Sequence, residues 1–219
     1  MSELICDIME GPLLSAYIEY ESDYAHFIEA KKTLKEEGYR IITLEENAKL
    51  RMQEGNDARV SYYGNLTAAD FIYNYKKGFY LTLASIITKE KEGEIFYLSR
   101  EQLKRALSRS IFLGKAREEE IWIPTRKFGE EKITNFAFGK IAKKYGLFLR
   151  EKKNLAYVTI TLPYVNEQLN EPEHFAEKVW FDESTFGGQK WYEVGRLRGV
   201  RENPEYNKLE TKLEKGKRK

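Results

Sequence analysis

The chain has 219 residues, 37 basic and 35 acidic, with 42% hydrophobic and 14% aromatic content. That length builds a core of its own, and 15 tyrosines and 12 phenylalanines give more aromatic surface than a disordered chain uses. One cysteine, Cys6, and two histidines, His26 and His174, exclude a disulfide framework within the chain and a Cys/His zinc site.

No run of roughly 18 uncharged apolar residues is present, so no membrane insertion is expected. Acidic Glu3 and Asp7 stand where a signal peptide carries Lys or Arg. The expected location is cytoplasmic or virion-associated. The net charge of +2 is set by one end, because Glu205–Lys219 holds six basic and three acidic residues. The remaining 204 residues carry 31 basic against 32 acidic side chains, unlike the strongly basic body of a dedicated nucleic-acid-binding domain. Glu outnumbers Asp 30 to 5, a bias associated with the surface ion-pair networks of heat-adapted proteins.

No internal repeat or Ser/Pro-rich linker divides the chain, so one domain with a short tail is expected. In chain order, Asp23–Glu37 places Tyr24, Phe27, Ile28 and Leu34 at helical spacing, and Gly38 follows as a stop. Tyr39–Leu44 reads as a short buried strand, and Glu45–Gln53 as a second helix ended by Gly55 and Asn56. Phe71–Tyr73 and Gly78–Leu83 read as a hairpin. Ser99 with Gln102 makes a capping box, after which Leu103, Ala106, Leu107, Ser110 and Ile111 form one helical face with Gly114 as terminator. Ile121–Pro124 is a strand closed by proline. Thr134–Leu149 is a long helix whose Gly139 and Gly146 allow close packing. Tyr157–Leu162 alternates as a strand, and Lys178–Arg201 reads as short strands joined by loops. Helices mixed with antiparallel-type strands, without βαβ alternation, give an α+β fold class. A doubly wound nucleotide-binding fold is not expected, since neither GxGxxG nor GxxxxGK occurs.

Candidate chemistry is sparse, and no enzyme activity is expected. Glu151-Lys152-Lys153 has the tripeptide form of a metal-dependent nuclease, but it sits at a helix end without an upstream acid, as a solvated face does. His174 lies among acids in EPEHFAEK, where Glu173 or Glu177 would raise its pKa, although an exposed loop histidine is the simpler reading. His26 falls near the buried face of the first helix and reads as structural. Cys6 has no histidine nearby in sequence, and no GxSxG elbow exists. No cofactor and no metal are expected. Nucleic acid is a possible partner through the basic tail 208–219 alone, by salt-sensitive phosphate attraction.

The informative stretch is Lys178–Val200, where aromatics are interleaved with Asp, Glu, Gln, Lys and Arg, the composition of a binding surface. Trp180 and Trp191 read as core anchors. Asp182, Glu183, Ser184, Phe186, Gln189, Lys190, Tyr192 and Glu193 read as exposed, with Phe186 and Tyr192 as binding anchors.

This stretch resembles the variable proteins of diversity-generating retroelements, of the archaeal and archaeal-virus type built on a C-type lectin fold. The resemblance rests on Val179-Trp180-Phe181, the glycine-bearing loop Gly187-Gly188 and the closing strand Arg196-Leu197-Arg198-Gly199-Val200. Ile123–Gly129, the helix Thr134–Leu149 and the hairpin Phe71–Leu83 are similar too. It implies a C-type lectin-like fold without disulfides over 35–201, an N-terminal extension and helix packed on it at 1–34, and a basic tail at 202–219. It also implies that codons in the 3′ part of the gene are randomised at adenines. The fold then displays Asp182, Glu183, Ser184, Phe186, Gln189, Lys190, Tyr192, Glu193 and Arg196, in segment 181–196, to a protein or other surface ligand. Asp182, Ser184, Phe186, Tyr192 and Gly195 are compatible with mutated AAC codons. The Glu-Pro-Asn and Gln-Pro-Asp calcium tripeptides of sugar-binding lectins are absent. The alternative is a nucleic-acid-binding or nucleic-acid-processing protein of a virus or mobile element.

Overall fold

Alternating apolar and polar strands, two capped helices and one glycine-broken helix assemble into a single mixed sheet with helices on both faces. The computed structural model describes residues 4–21, 24–55, 60, 64–75, 77–83, 96–115, 120–163, 174–182, 184–188, 194–206 and 208. Trp191, Glu183, Gln189, Lys190, Tyr192, Glu193 and most of the basic tail lie outside them. The strands are β1 (Leu4–Ile8), β2 (Leu13–Glu21), β3 (Arg40–Ile41), β4 (Asn65–Asn74), β5 (Gly78–Thr82), β6 (Phe96–Tyr97), β7 (Ser110–Gly114), β8 (Glu120–Pro124), β9 (Tyr157–Thr161), β10 (Phe175–Phe181), β11 (Thr185–Gly188) and β12 (Val194–Glu202). The helices are α1 (Tyr24–Glu36), α2 (Leu44–Glu54), α3 (Arg100–Leu107), α4 (Lys132–Phe138) and α5 (Ala142–Lys152).

The strand order is β1-β2-β12-β4-β10-β11-β9-β8, with β5 and then β7 branching from β4, β6 pairing β10 and β3 pairing β12. Most pairs are antiparallel, but β11 runs parallel to β9, and β12 meets β4 in parallel at Leu197 and Leu66. β12 pairs β2 over its whole length, from Val194 opposite Glu21 to Glu202 opposite Leu13. The first 34 residues, expected as an extension on the domain, thus supply two strands of the sheet itself. At the other end Asn203 is tied to the start of β2, its N–H donating to Pro12 O and its amide to Gly11 O.

Two capping boxes decide where helices begin. Thr43 Oγ1 accepts from Glu46 N while the Glu46 carboxylate accepts from Thr43 N, which starts α2 at Leu44 and shortens the expected strand 39–44 to Arg40–Ile41. Ser99 and Gln102 do the same for α3. The α3 helix stops at Leu107, and Ser110 and Ile111, expected on its face, begin β7 instead. β-branched and aromatic Ile111 and Phe112 pair with Leu81 and Tyr80 of β5, so tertiary pairing overrides helical spacing there. The expected helix 134–149 is broken at Gly139, whose φ of 53° ends α4 before a 3-10 turn leads into α5. Gly146 does allow close packing: a Cβ there would lie 2.4 Å from Phe128 Cβ.

The sheet has two unlike faces. On one, Phe71, Phe79, Val158, Ile160, Phe175, Phe181 and Phe186 pack against Leu44 and Ala48 of α2, Phe138 of α4 and Tyr145 and Leu149 of α5. On the other, α1 covers Ile18, Leu66, Trp180 and Leu197 through Phe27 and Leu34, and α3 covers Ile72 and Ala176 through Leu103 and Ala106. Trp180 and Val200 are buried as expected. Trp180 fits because residue 64 is glycine, where a Cβ would stand 1.8 Å from its indole nitrogen.

This second face also holds charge: Lys178 on β10 and Asp70, directly opposite on β4, are both buried and paired at 2.5 Å. Burial, then the nearby Lys178 ammonium, holds the Lys31 amine below its ordinary pKa. On the opposite side of the sheet, toward α2, Arg198 is also fully buried and donates to Asp7, Ser15 and Asn65. Burial lowers its pKa despite the Asp7 carboxylate.

Candidate functional site

The described residues of the segment singled out in the sequence comprise the end of β10, Asp182 and Ser184, β11 and the first part of β12. β10 ends at Phe181, and Asp182 then turns the chain: its Oδ1 accepts from Ser184 N at 2.8 Å and Thr185 N at 2.7 Å, while its own N–H donates to Thr185 O at 3.0 Å. A short carboxylate side chain serving two backbone donors is the usual reason for aspartate at such a position. Ser184 O accepts from Thr159 N at 2.8 Å, so the turn is fastened to β9 through backbone groups. Asp182 is therefore a half-buried turn-former. Ser184 is held by its main chain, its side chain making no hydrogen bond among the described residues.

Phe186 departs from expectation. Read as an exposed anchor, it is 3% exposed and lies 4.6 Å from Phe181, stacked at 16°, and 5.4 Å from Phe138. The cause is pleat: Phe186 pairs with Phe181 on β10 and Ile160 on β9, so all three point into the α2/α4/α5 core. Arg196, expected as a ligand contact, is half-buried, pairs with Glu19 and lies over the Tyr17 ring at 4.9 Å. Its charge is committed to the scaffold.

The outward half of the same strands forms a surface that sequence reasoning passed over. In register across the sheet stand Thr185 of β11, Thr159 of β9 and Trp122 of β8. Trp122 is 61% exposed and Tyr157 50%, their rings 6.3 Å apart and edge to face. Asp182 and Ser184 border this face through the bond to Thr159. The signal was present in the alternation Ile121-Trp122-Ile123 and Tyr157-Val158-Thr159-Ile160: isoleucine and valine point inward, leaving the aromatic and hydroxyl residues outside.

The other candidates carry little chemistry. For His174 the reading as a base with a pKa raised by Glu173 or Glu177 was the alternative to an exposed loop histidine; burial, then the Arg100 guanidinium, lowers the pKa, and its Nδ1 accepts from Tyr75 N at 3.3 Å. Glu151-Lys152-Lys153 closes α5 on an exposed surface. Among the described residues, no group of three His, Cys, Asp or Glu side chains could hold a metal ion. No helix among them is long and apolar enough to cross a membrane. A mixed groove of about 640 Å³ lies between α2, α5 and the ends of β2 and β12, lined by Leu13, Arg40, Glu46, Met52, Ile141 and Lys144 among others. Burial pushes the Glu46 carboxyl up, but Arg40 and the Thr43 backbone and hydroxyl outweigh it and hold it below the ordinary carboxylate range.

No family model matches the chain, and no curated protein matches it. One solved structure is similar over 85% of this chain and 97% of its own, with a TM-score of 0.59 at 12% identity. It is a protein described as accommodating massive sequence variation in Nanoarchaeota by the C-type lectin fold. At that identity the likeness speaks to architecture, and with the mixed sheet, the flanking helices and the single cysteine it gives this chain a C-type lectin fold without disulfides.

Proposed function

We propose that the chain is a ligand-binding display protein, not an enzyme, whose segment 181–196 is diversified by a retroelement and recognises a protein or other surface ligand. The observation that supports this most is the division of labour inside that segment. Phe181 and Phe186 are locked in the core, whereas the turn between them is held by backbone bonds and the Asp182 carboxylate. A fold built this way tolerates a new side chain at Ser184, because a random polar group there is not forced into a dry interior, where it would cost about 1–3 kcal/mol. The recognition set in this reading is Glu183, Ser184, Gln189, Lys190, Tyr192 and Glu193, with Asp182 shaping the turn and Trp122 and Tyr157 as fixed neighbours. Trp and Tyr are the residue types that most often carry interface energy. The similar solved protein is described by its accommodation of massive variation on this fold, which accords with the reading.

The direct test is to sequence the DNA flanking the gene. The proposal expects a near-copy of its 3′ end differing at adenines, beside a reverse-transcriptase gene. Identical genes in independent isolates, with no such copy, would remove the retroelement from the account.

A further inference from the structure

Helix α3 and the residues that follow it carry a charge concentration that the display reading does not use. Tyr97–Lys115 contains five basic residues and one acid, so the other 200 residues hold 32 basic against 34 acidic side chains. Arg100, Lys104, Arg105, Arg109 and Lys115 are all exposed. Glu101 reaches Arg105 at 3.7 Å, an exposed contact of little weight. Lys104 and Arg109 have no ion partner among the described residues.

Aromatics flank this helix. Across β10, β4, β5 and β7, Ala176, Ile72, Tyr80 and Phe112 stand in register on one face. α3 covers Ile72 and Ala176 and reaches Tyr80, but leaves Phe112 46% exposed with its ring 5.2 Å from Tyr80, edge to face. At the start of the helix Tyr97 is 56% exposed. A row of guanidinium and ammonium groups lined by open aromatic rings is the chemistry that binds single-stranded nucleic acid: cations follow the backbone and bases stack on the rings.

We propose that α3, with Phe112 and Tyr97, is a docking surface for single-stranded nucleic acid, independent of the segment 181–196 and of the basic tail. Charge complementarity sets a polyanion as the partner. The open phenyl ring favours one with bases over an acidic protein, and a single phenylalanine is too little apolar surface to hold a membrane.

The test is fluorescence anisotropy of labelled single-stranded (dT)15 and (rU)15 with the full chain at 50 and 200 mM salt. About four phosphate contacts predict roughly 50-fold weaker binding at the higher salt. R100Q/K104Q/R105Q/R109Q should weaken binding at least tenfold at low salt and flatten the salt slope. F112A should weaken it about fivefold or more and leave the slope unchanged. Neutralising Lys212, Lys215, Lys217, Arg218 and Lys219 to Gln should do much less, and all variants should keep the parent unfolding midpoint. The proposal is overturned if the parent fails to bind at 50 mM salt, or if the tail variant loses binding while the α3 variant keeps it. It is equally overturned if polyglutamate or anionic vesicles bind as well as the oligonucleotide with F112A indistinguishable from the parent.

Discussion

The two faces of the sheet solve different problems. The face under α2, α4 and α5 is a closed aromatic layer, in which Phe138 and Phe181 each pack against Tyr145, Phe186 and one another with ring centroids 4.6–6.3 Å apart. The face under α1 and α3 is covered in part, contains the buried Lys178–Asp70 pair, and ends in open aromatics at Phe112 on one side and at Trp122 and Tyr157 on the other. One face therefore specifies the fold, and the other leaves room for contacts with something else. Stability should depend steeply on side-chain identity at the first face and at the buried charges, and weakly on it at the open margins.

The largest effects are expected where that division is most strained. K178M takes the ammonium away from the buried Asp70 carboxylate and should cost about 3–5 kcal/mol in denaturant unfolding, while the double variant K178M/D70L should recover most of it. F181A should cost a similar amount, about 3–5 kcal/mol, by opening a cavity in the closed layer. If K178M is neutral, the pair is better solvated than its burial indicates and the second face is not a true interior.

An intermediate loss tests the fit between layers. G64A would push a Cβ into the Trp180 indole and should cost about 1–3 kcal/mol, the usual range for overpacking. E46Q keeps the α2 capping box, as Gln102 does for α3, but takes away the negative charge paired with Arg40 and should cost about 0.5–1 kcal/mol at neutral pH. Because the folded Glu46 pKa lies below its unfolded value, its contribution is present above the unfolded pKa and fades as pH falls through the folded one. The gap between parent and E46Q should narrow accordingly in acid unfolding curves.

The smallest effect belongs to the open margin. W122A and Y157A should each move stability by no more than about 0.5 kcal/mol while weakening any ligand that uses this face.

How much of this was legible in the sequence follows from which forces are local. α1, the capping box at Ser99, the 71–83 hairpin and the burial of Trp180 were readable, whereas the capping box at Thr43 was passed over in favour of a strand across 39–44. Ser110–Gly114 was not, since helical spacing of Ser110 and Ile111 competes with pairing to β5, a contact some 30 residues away that periodicity does not carry. The joining of β2 to β12 brings together residues about 180 apart, so the N-terminal strands could not be placed in the sheet by local pattern. At the site, polar composition had Asp182 and Ser184 exposed, whereas both are half-buried, and Phe186 was misplaced because its exposure depends on strand phase relative to Phe181 and Ile160. Trp122 and Tyr157 were readable from alternation alone; their nearness to the turn required the parallel pairing of β11 and β9.

The central claim is that the segment 181–196 separates a fixed core from a replaceable surface. The most direct measurement compares urea unfolding of two variants. One replaces Ser184, Gln189, Lys190, Tyr192 and Glu193 together with Ala or Ser; the other changes Phe186 alone to Ser. The account predicts that the five-fold variant unfolds near the parent midpoint, with each site contributing no more than about 0.5 kcal/mol. F186S should lose several kcal/mol, roughly 3–5 as for other buried aromatic truncations. A five-fold variant that unfolds while F186S stays stable would contradict it.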